Sequence, residues 1–334
     1  MTLRGAYLRL GGSLLALVGG AAGVVVVVAL LRSEPGPIGS TPTITGAPAP
    51  TAAPHILGGE IPTPNQQGFP APPPGAVVLA REAGADALAL GIVPGEGRSL
   101  VRVSVVSPAG PGAGGLDVAV SFGRGSAIRL SPCGAGCYQA ELEPGASRRV
   151  SVMLGKRSYR FALPASRLPP DGAGIMKRAT AVWRGLKTLV WHERLAGSPT
   201  EVIHTVYEAV APDRLSYTIA GLSAAVIIGG TRWDRSTPTG PWQRSVQDPQ
   251  IHVPVPFWYS VFDARVLGST SFRGRSVWTV SFFDPTTPAW FQAEIDKQSG
   301  RTLELWMTAA SHFMHHIYGP FNVPIELNRP AGAQ

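Results

Sequence analysis

The segment from Ser281 to Leu327 constrains the fold of this chain more than any other. Trp290 to Ile295 and Thr302 to Met307 have the alternating character of strands. The polar loop between them, Asp296-Lys297-Gln298-Ser299-Gly300, ends in the glycine that a hairpin turn needs for positive φ. A β-hairpin is expected there, with its second strand running on through His312-Phe313-Met314-His315-His316 to Tyr318. A sheet built on this hairpin is where a ligand is expected.

Composition agrees with a β-rich chain. The 334 residues include 40 Gly and 32 Pro, which favour many turns over long helices, and 44% hydrophobic content is enough for two modest cores. Two cysteines cannot build a disulfide scaffold, so apolar burial must hold the fold. The net charge of +8 comes from Lys and Arg placed singly or in pairs such as Arg148-Arg149. That dispersed pattern argues against nucleic acid and fits weak attraction to an anionic membrane or wall surface.

Arg4 and Arg9 precede an uncharged run, Leu14 to Leu31, which as a helix is about 27 Å long and just spans a hydrocarbon core. Leu30-Leu31-Arg32-Ser33-Glu34-Pro35 contains no A-x-A cleavage pattern and neither cysteine lies near for lipid attachment, so an uncleaved transmembrane anchor is expected over 1–32. Its flanking charges place the N-terminus in the cytoplasm and the rest of the chain outside, in a single-pass protein of the bacterial cytoplasmic membrane. Residues 33–75 hold twelve prolines and read as a semi-extended spacer in which His55 is solvated.

Over 76–168, seven short alternating runs between Ala87 and Leu163 predict an immunoglobulin-like β-sandwich; Val101, Val103 and Val105 share one strand face, and Leu116, Val118, Val120 and Phe122 another. All eight tryptophans lie beyond it, which sets a boundary near Pro169-Pro170-Asp171-Gly172. The second domain, 173–330, opens with one amphipathic helix, Ile175 to Leu186. Strands follow at Thr188–Leu195, Glu201–Val210, Leu215–Ile219, Ala224–Ile228 and Gly230–Arg235. After a Pro-rich excursion from Pro238 to Pro256 come Asp263–Ser269, Ser276–Phe283 and the hairpin. Short connections throughout predict a curved antiparallel sheet, an incomplete barrel with one or a few helices.

Four stretches of the second domain carry a resemblance. Ala211-Pro212-Asp213-Arg214-Leu215, Ile228-Gly229-Gly230-Thr231-Arg232-Trp233, Ala293 to Arg301 and Tyr318 to Ile325 occur in the order found in the lipoprotein-carrier family, which the domain resembles over about 150 residues. The resemblance implies an incomplete antiparallel barrel with an apolar cavity under short helices. The first module, through Pro132-Cys133-Gly134-Ala135-Gly136-Cys137-Tyr138, is similar to immunoglobulin-like modules of bacterial copper-resistance proteins.

Several residues are candidates for chemistry. Cys133 and Cys137 flank a Gly-Ala-Gly loop short enough for a disulfide worth about 2 kcal/mol on the chain-entropy model, with a copper or redox pair, or free thiols, as the alternatives. His312, Met314, His315 and His316 carry copper-compatible donors, yet on a strand His312 and His316 stand about 13 Å apart, so a site would need help from His192 or His204. The other reading has them lining or rimming a cavity. Asp213, Asp234, Asp263, Asp284 and Asp296 fall at strand ends and turns, where carboxylates cap backbone N–H groups.

No nucleophile elbow, P-loop, metalloprotease helix or dinucleotide fingerprint occurs, so no enzyme activity and no resident cofactor is expected. The reading that follows is a membrane-anchored extracytoplasmic binding protein that takes a lipid, a lipoprotein acyl chain or another hydrophobic ligand into a sheet cavity. Trp191, Trp233, Trp258, Trp278, Trp290, Trp306 and Met314 are the candidate lining. A copper-handling accessory and a structural envelope module are the alternatives.

Overall fold

The computed structural model describes residues 76–83, 86–95, 97–106, 114–134, 136–143, 147–164, 168–198, 201–286, 289–309 and 312–333. The expected anchor and spacer lie outside these residues. Among the described residues no helix is long and apolar enough to cross a membrane.

Nine strands form the first module: β1 (Val77–Ala83), β2 (Asp86–Pro94), β3 (Ser99–Val106), β4 (Val118–Phe122), β5 (Ile128–Arg129), β6 (Ser131–Gly134), β7 (Cys137–Leu142), β8 (Arg149–Leu154) and β9 (Arg157–Ala162). They make a sheet of order β1-β2-β3-β7-β6 facing one of order β5-β4-β8-β9. Val101, Val103 and Val105 of the first sheet and Val118, Val120, Val150 and Val152 of the second fill the space between them. The sandwich has two strands more than the seven expected. β1 escapes an alternation test because it is covered on both sides, with Leu79 in the sandwich core and Val78 and Ala80 facing the other module. β6 is four residues long and contains Pro132, a residue that speaks against a strand.

The single described helix, α1 (Ala173–Arg184), begins at Gly172, and the Asp171 carboxylate accepts a hydrogen bond from the Ala173 N–H at 3.1 Å. A Cβ at Gly172 would stand 3.0 Å from the Val280 side chain and 3.3 Å from the backbone at Ala264, so only glycine brings the helix this close to the sheet.

That sheet has eleven antiparallel strands: β10 (Thr188–Ser198), β11 (Glu201–Val210), β12 (Arg214–Ile219), β13 (Ala224–Ile228), β14 (Thr231–Arg235), β15 (Gln243–Val246), β16 (Phe262–Phe272), β17 (Arg275–Asp284), β18 (Ala289–Asp296), β19 (Thr302–Ala309) and β20 (His312–Phe321). Their order is β15-β14-β13-β12-β11-β10-β20-β19-β18-β17-β16. The last strand in sequence closes the centre, pairing β10 on one side and β19 on the other, while β15 and β16 remain as the edges of an open sheet.

The β18–β19 hairpin forms as expected, with Gly300 at φ +74° and the Asp296 Oδ1 atom accepting from Ser299 N and Oγ, each at 2.6 Å. The expected continuation of β19 to Tyr318 is corrected. β19 ends at Ala309, and β20 starts at His312 and returns antiparallel, with Met307 opposite Met314. The reversal between Ala309 and His312 carries no Gly or Pro to mark it. The Pro-rich excursion also contains an exposed strand, β15, paired to β14.

One face of the sheet is apolar and covered by α1 and by an irregular strap, residues 247–261. The opposite face meets the sandwich, where Phe283 and Trp290 pack against Ala76, Val78, Ala80, Ala89 and Val93.

Candidate functional site

Strand alternation sorts the candidate residues onto two faces. Inward, toward α1 and the strap, point Trp191, Met314 and the partly buried Trp278, together with Phe282 and Phe291, while Trp258 reaches in from the strap. Trp290 and Trp306 occupy alternate positions of β18 and β19 and point to the other side. Trp290 is fully buried against the sandwich, and Trp306 stacks on His315 with ring centroids 3.6 Å apart. Trp233 is buried too and sits opposite Val226 in register, outside the inward cluster. The expected single lining is therefore divided, with Trp191, Trp258, Trp278 and Met314 together and Trp233, Trp290 and Trp306 elsewhere.

The interior is filled by rings. Trp191 stacks on Tyr207 at 4.5 Å and Phe282 on Phe291 at 4.9 Å, and Trp258 meets Phe282 edge-on at 5.6 Å. The covering layer is tied to the sheet by side-chain and backbone hydrogen bonds, among them Arg178 to the Gln298 carbonyl at 2.6 Å and Val253 N to the Pro212 carbonyl at 2.8 Å. Trp258 Nε1 donates to Thr180 Oγ1 of α1 at 3.0 Å, Trp183 Nε1 donates to Thr302 Oγ1 at 3.1 Å, and the Asp284 carboxylate accepts from Tyr259 N at 2.7 Å and Ser260 Oγ at 3.0 Å. Trp183 and Trp258 touch edge to face, so helix and strap act as one lid over the sheet.

One polar cluster breaks this interior. His316 Nε2 lies 2.7 Å from Glu193 Oε2 and its Nδ1 lies 2.8 Å from the Tyr318 hydroxyl, while the Tyr207 hydroxyl donates to Glu193 Oε1 at 3.0 Å. Both ring nitrogens of His316 and both oxygens of Glu193 thus have partners, as burial demands. Burial, reinforced by the neighbouring Glu193 charge, pushes both tyrosine hydroxyls well above their ordinary range. Sequence reasoning did not find Glu193. No motif surrounds it, and only the β10–β20 register brings it opposite His316.

The copper-compatible residues do not converge. Met314 and His316 face inward, and His316 is engaged with Glu193 and Tyr318. His315 faces outward, with Nε2 2.7 Å from Glu304 Oε1. His192 pairs in register with Ile317 and His204 with Arg194, a parity that sets them with His315 and apart from His316. The side chain of His312 lies outside the described residues. Among the described residues no group of three or more His, Cys, Asp or Glu could hold a metal ion. Cys133 and Cys137 form a disulfide across the β6–β7 turn, with Cα atoms 5.0 Å apart.

No protein-family model and no curated protein matches the chain. Among solved structures it is similar to the lipoprotein LppX of Mycobacterium tuberculosis (11% identity, 46% of this chain and 97% of that one, TM-score 0.31) and to LprF of Mycobacterium bovis (10% identity, 52% and 100%, TM-score 0.36). It is also similar to a LolA superfamily protein of Nitrosomonas europaea (9% identity, 47% and 95%, TM-score 0.24). Likenesses this distant assign no function, and the site stands on its own geometry.

Proposed function

We propose that this chain is a non-catalytic binding protein of the bacterial cell envelope that holds an acyl chain or similar apolar ligand between the sheet and the α1–strap lid. The observation that carries this reading is the lid itself: a broad apolar sheet face is covered by one twelve-residue helix and an irregular strap. A permanent core is normally covered by regular elements along its whole length, whereas Phe257 and Trp258 reach the sheet from backbone with no strand or helix pairing. Withdrawing those two rings exposes a groove flanked by Trp191, Phe282 and Phe291, in which an acyl chain takes over their contacts.

The disulfide supports an oxidising, extracytoplasmic location. The apolar N-terminal run then serves as the membrane tether, and the sandwich, read as immunoglobulin-like, as the rigid base on which the sheet stands. The lipoprotein-carrier resemblance of the sequence agrees with this assignment.

Native mass spectrometry of the full-length chain isolated from a bacterial host tests it. Heterogeneous adducts of lipid mass that organic solvent removes are the expected result. A bare polypeptide that also fails to take up added fatty acid overturns the proposal.

A further inference from the structure

The lid has a charged outer side. Between Gly172 and Thr188 the chain carries Lys177, Arg178, Arg184 and Lys187 and no Asp or Glu. Helical spacing separates the two sides of α1. Met176, Ala179 and Trp183 are buried against the sheet, whereas Gly174, Lys177, Ala181 and Arg184, three and four residues apart, form an exposed row turned away from it. The glycine and alanine give that row little bulk, so a flat surface can approach the helix between its two cations.

The patch extends beyond the helix. Arg178 donates to the carbonyls of Lys297 and Gln298 at 3.3 and 2.6 Å, which brings the β18–β19 loop and Arg301 alongside. The Arg301 guanidinium lies 5.0 Å from the Phe321 ring centroid, and the next residue, Asn322, accepts from the Lys187 N–H at 2.8 Å. Carbonyls and rings hold these side chains without neutralising them.

The carboxylates that border the helix are engaged elsewhere. Asp171 accepts from Ala173 N, Asp263 pairs with Arg265 at 2.6 Å and Asp296 pairs with Arg275 at 2.9 Å. Asp213, Asp248 and Glu326 stand toward the other end of the lid. There Gly229 N donates to the Asp213 carbonyl at 3.1 Å, Gln247 N to the Gly230 carbonyl at 2.9 Å, and Arg214 to the Leu327 carbonyl at 3.2 Å. Beside the cations the strap adds apolar surface, with Val255 36% and Tyr259 44% exposed on either side of Phe257 and Trp258.

We propose that this outer side of the lid docks on an anionic lipid bilayer, with Lys177, Arg184, Lys187 and Arg301 among the headgroup phosphates and Val255 and Tyr259 at headgroup level. Clustered Lys and Arg are drawn to anionic lipid within a Debye length, about 10 Å at 0.1 M salt, and tyrosine favours the membrane–water interface. A soluble polyanion would match the cations but offer nothing to Val255 and Tyr259. The docking surface lies outside the acyl interior and does not depend on its being occupied.

The chain has four lysines, so amine labelling read by mass spectrometry maps the contact. Lys177 and Lys187 lie in the patch, and Lys156, exposed between β8 and β9 of the sandwich, is the internal control. The full-length chain is placed in nanodiscs of phosphatidylcholine alone or with about one third phosphatidylglycerol, so that its N-terminal segment meets lipid in both. Labelling of Lys177 and Lys187 is expected to slow at least about threefold on the anionic discs and to recover in about 1 M salt, while Lys156 keeps one rate throughout.

The double variant Lys177→Glu, Arg184→Glu, both positions exposed, returns Lys187 to its phosphatidylcholine rate. Should that variant misfold by circular dichroism, the salt series on the unaltered chain decides alone. Equal rates on the two discs, slowing of Lys156 together with the others, or slowing that salt leaves unchanged overturns the proposal. Protection by soluble polyglutamate but by neither disc overturns it in favour of an acidic soluble partner.

Discussion

Glu294 ties a single protonation to the stability of the whole sheet. Its carboxyl is removed from water on the outward face of β18, which lifts it from its ordinary 4.5 to about 7. Between those values the folded chain keeps a proton that the unfolded chain has released. Rising pH therefore works against the fold through this group, by up to about 1.4 kcal/mol per pH unit, and the effect levels off above pH 7. Glu294→Gln removes it. Urea midpoints measured at pH 5, 6, 7 and 8 should show the variant gaining on the parent as pH rises from 5 to 7 and holding a constant difference above. A difference independent of pH would contradict the assignment. Asp296, two residues on, behaves in the opposite way. Burial alone would raise its carboxyl, but hydrogen bonds from Ser299 and Arg275 outweigh burial and hold it below the usual range. Neighbouring carboxylates on one strand thus diverge through their partners, a distinction that the string Ala293-Glu294-Ile295-Asp296 does not display.

At the level of elements, the turns decide register and register decides which residues meet. Gly300 closes the β18–β19 hairpin at φ +74°, and a Cβ there would stand 2.9 Å from the Arg178 Nε atom of α1. Gly300→Ala should therefore cost about 1–3 kcal/mol, read as a lower urea midpoint, from left-handed strain together with displacement of an arginine that donates to the Gln298 carbonyl at 2.6 Å. This hairpin was legible in the sequence because its loop carries turn chemistry. The reversal between Ala309 and His312 was not legible, because the sequence there carries no turn residue and looks like continued strand, and missing it hid most of the site. Treating 302–318 as a single strand predicted one face for Trp306 and Met314. The actual return places Trp306 beside His315 on the outward face and leaves Met314 inside. Of the inward set Trp191 was read from the sequence, whereas Tyr207 was not singled out and the adjacent pair Trp290-Phe291 turns its phenylalanine, not the expected tryptophan, inward. Glu193 was not legible, since it gains its partner His316 only from a strand distant in sequence.

Across the whole molecule, the sheet is a middle layer with work on both sides: the lid covers one face and the sandwich the other. Trp290 is the residue that fastens the second contact. Its ring is fully buried, its tip lies 3.4 Å from where a Cβ on Gly91 would stand, and it packs with Phe283 against Val78, Ala80 and Ala89. An isolated module would have kept such a ring out of water with its own chain; here the burial depends on the neighbour, and the stabilities of the two modules are coupled through it. Trp290→Ala leaves a cavity at the junction and should cost about 3–5 kcal/mol of that coupling. Each module has its own apolar core, so neither should unfold outright. Differential scanning calorimetry of the parent should show one transition, and the variant should split into two. A single transition in the variant, merely lowered in temperature, would mean that the modules are held together elsewhere and that Trp290 is only one more core residue.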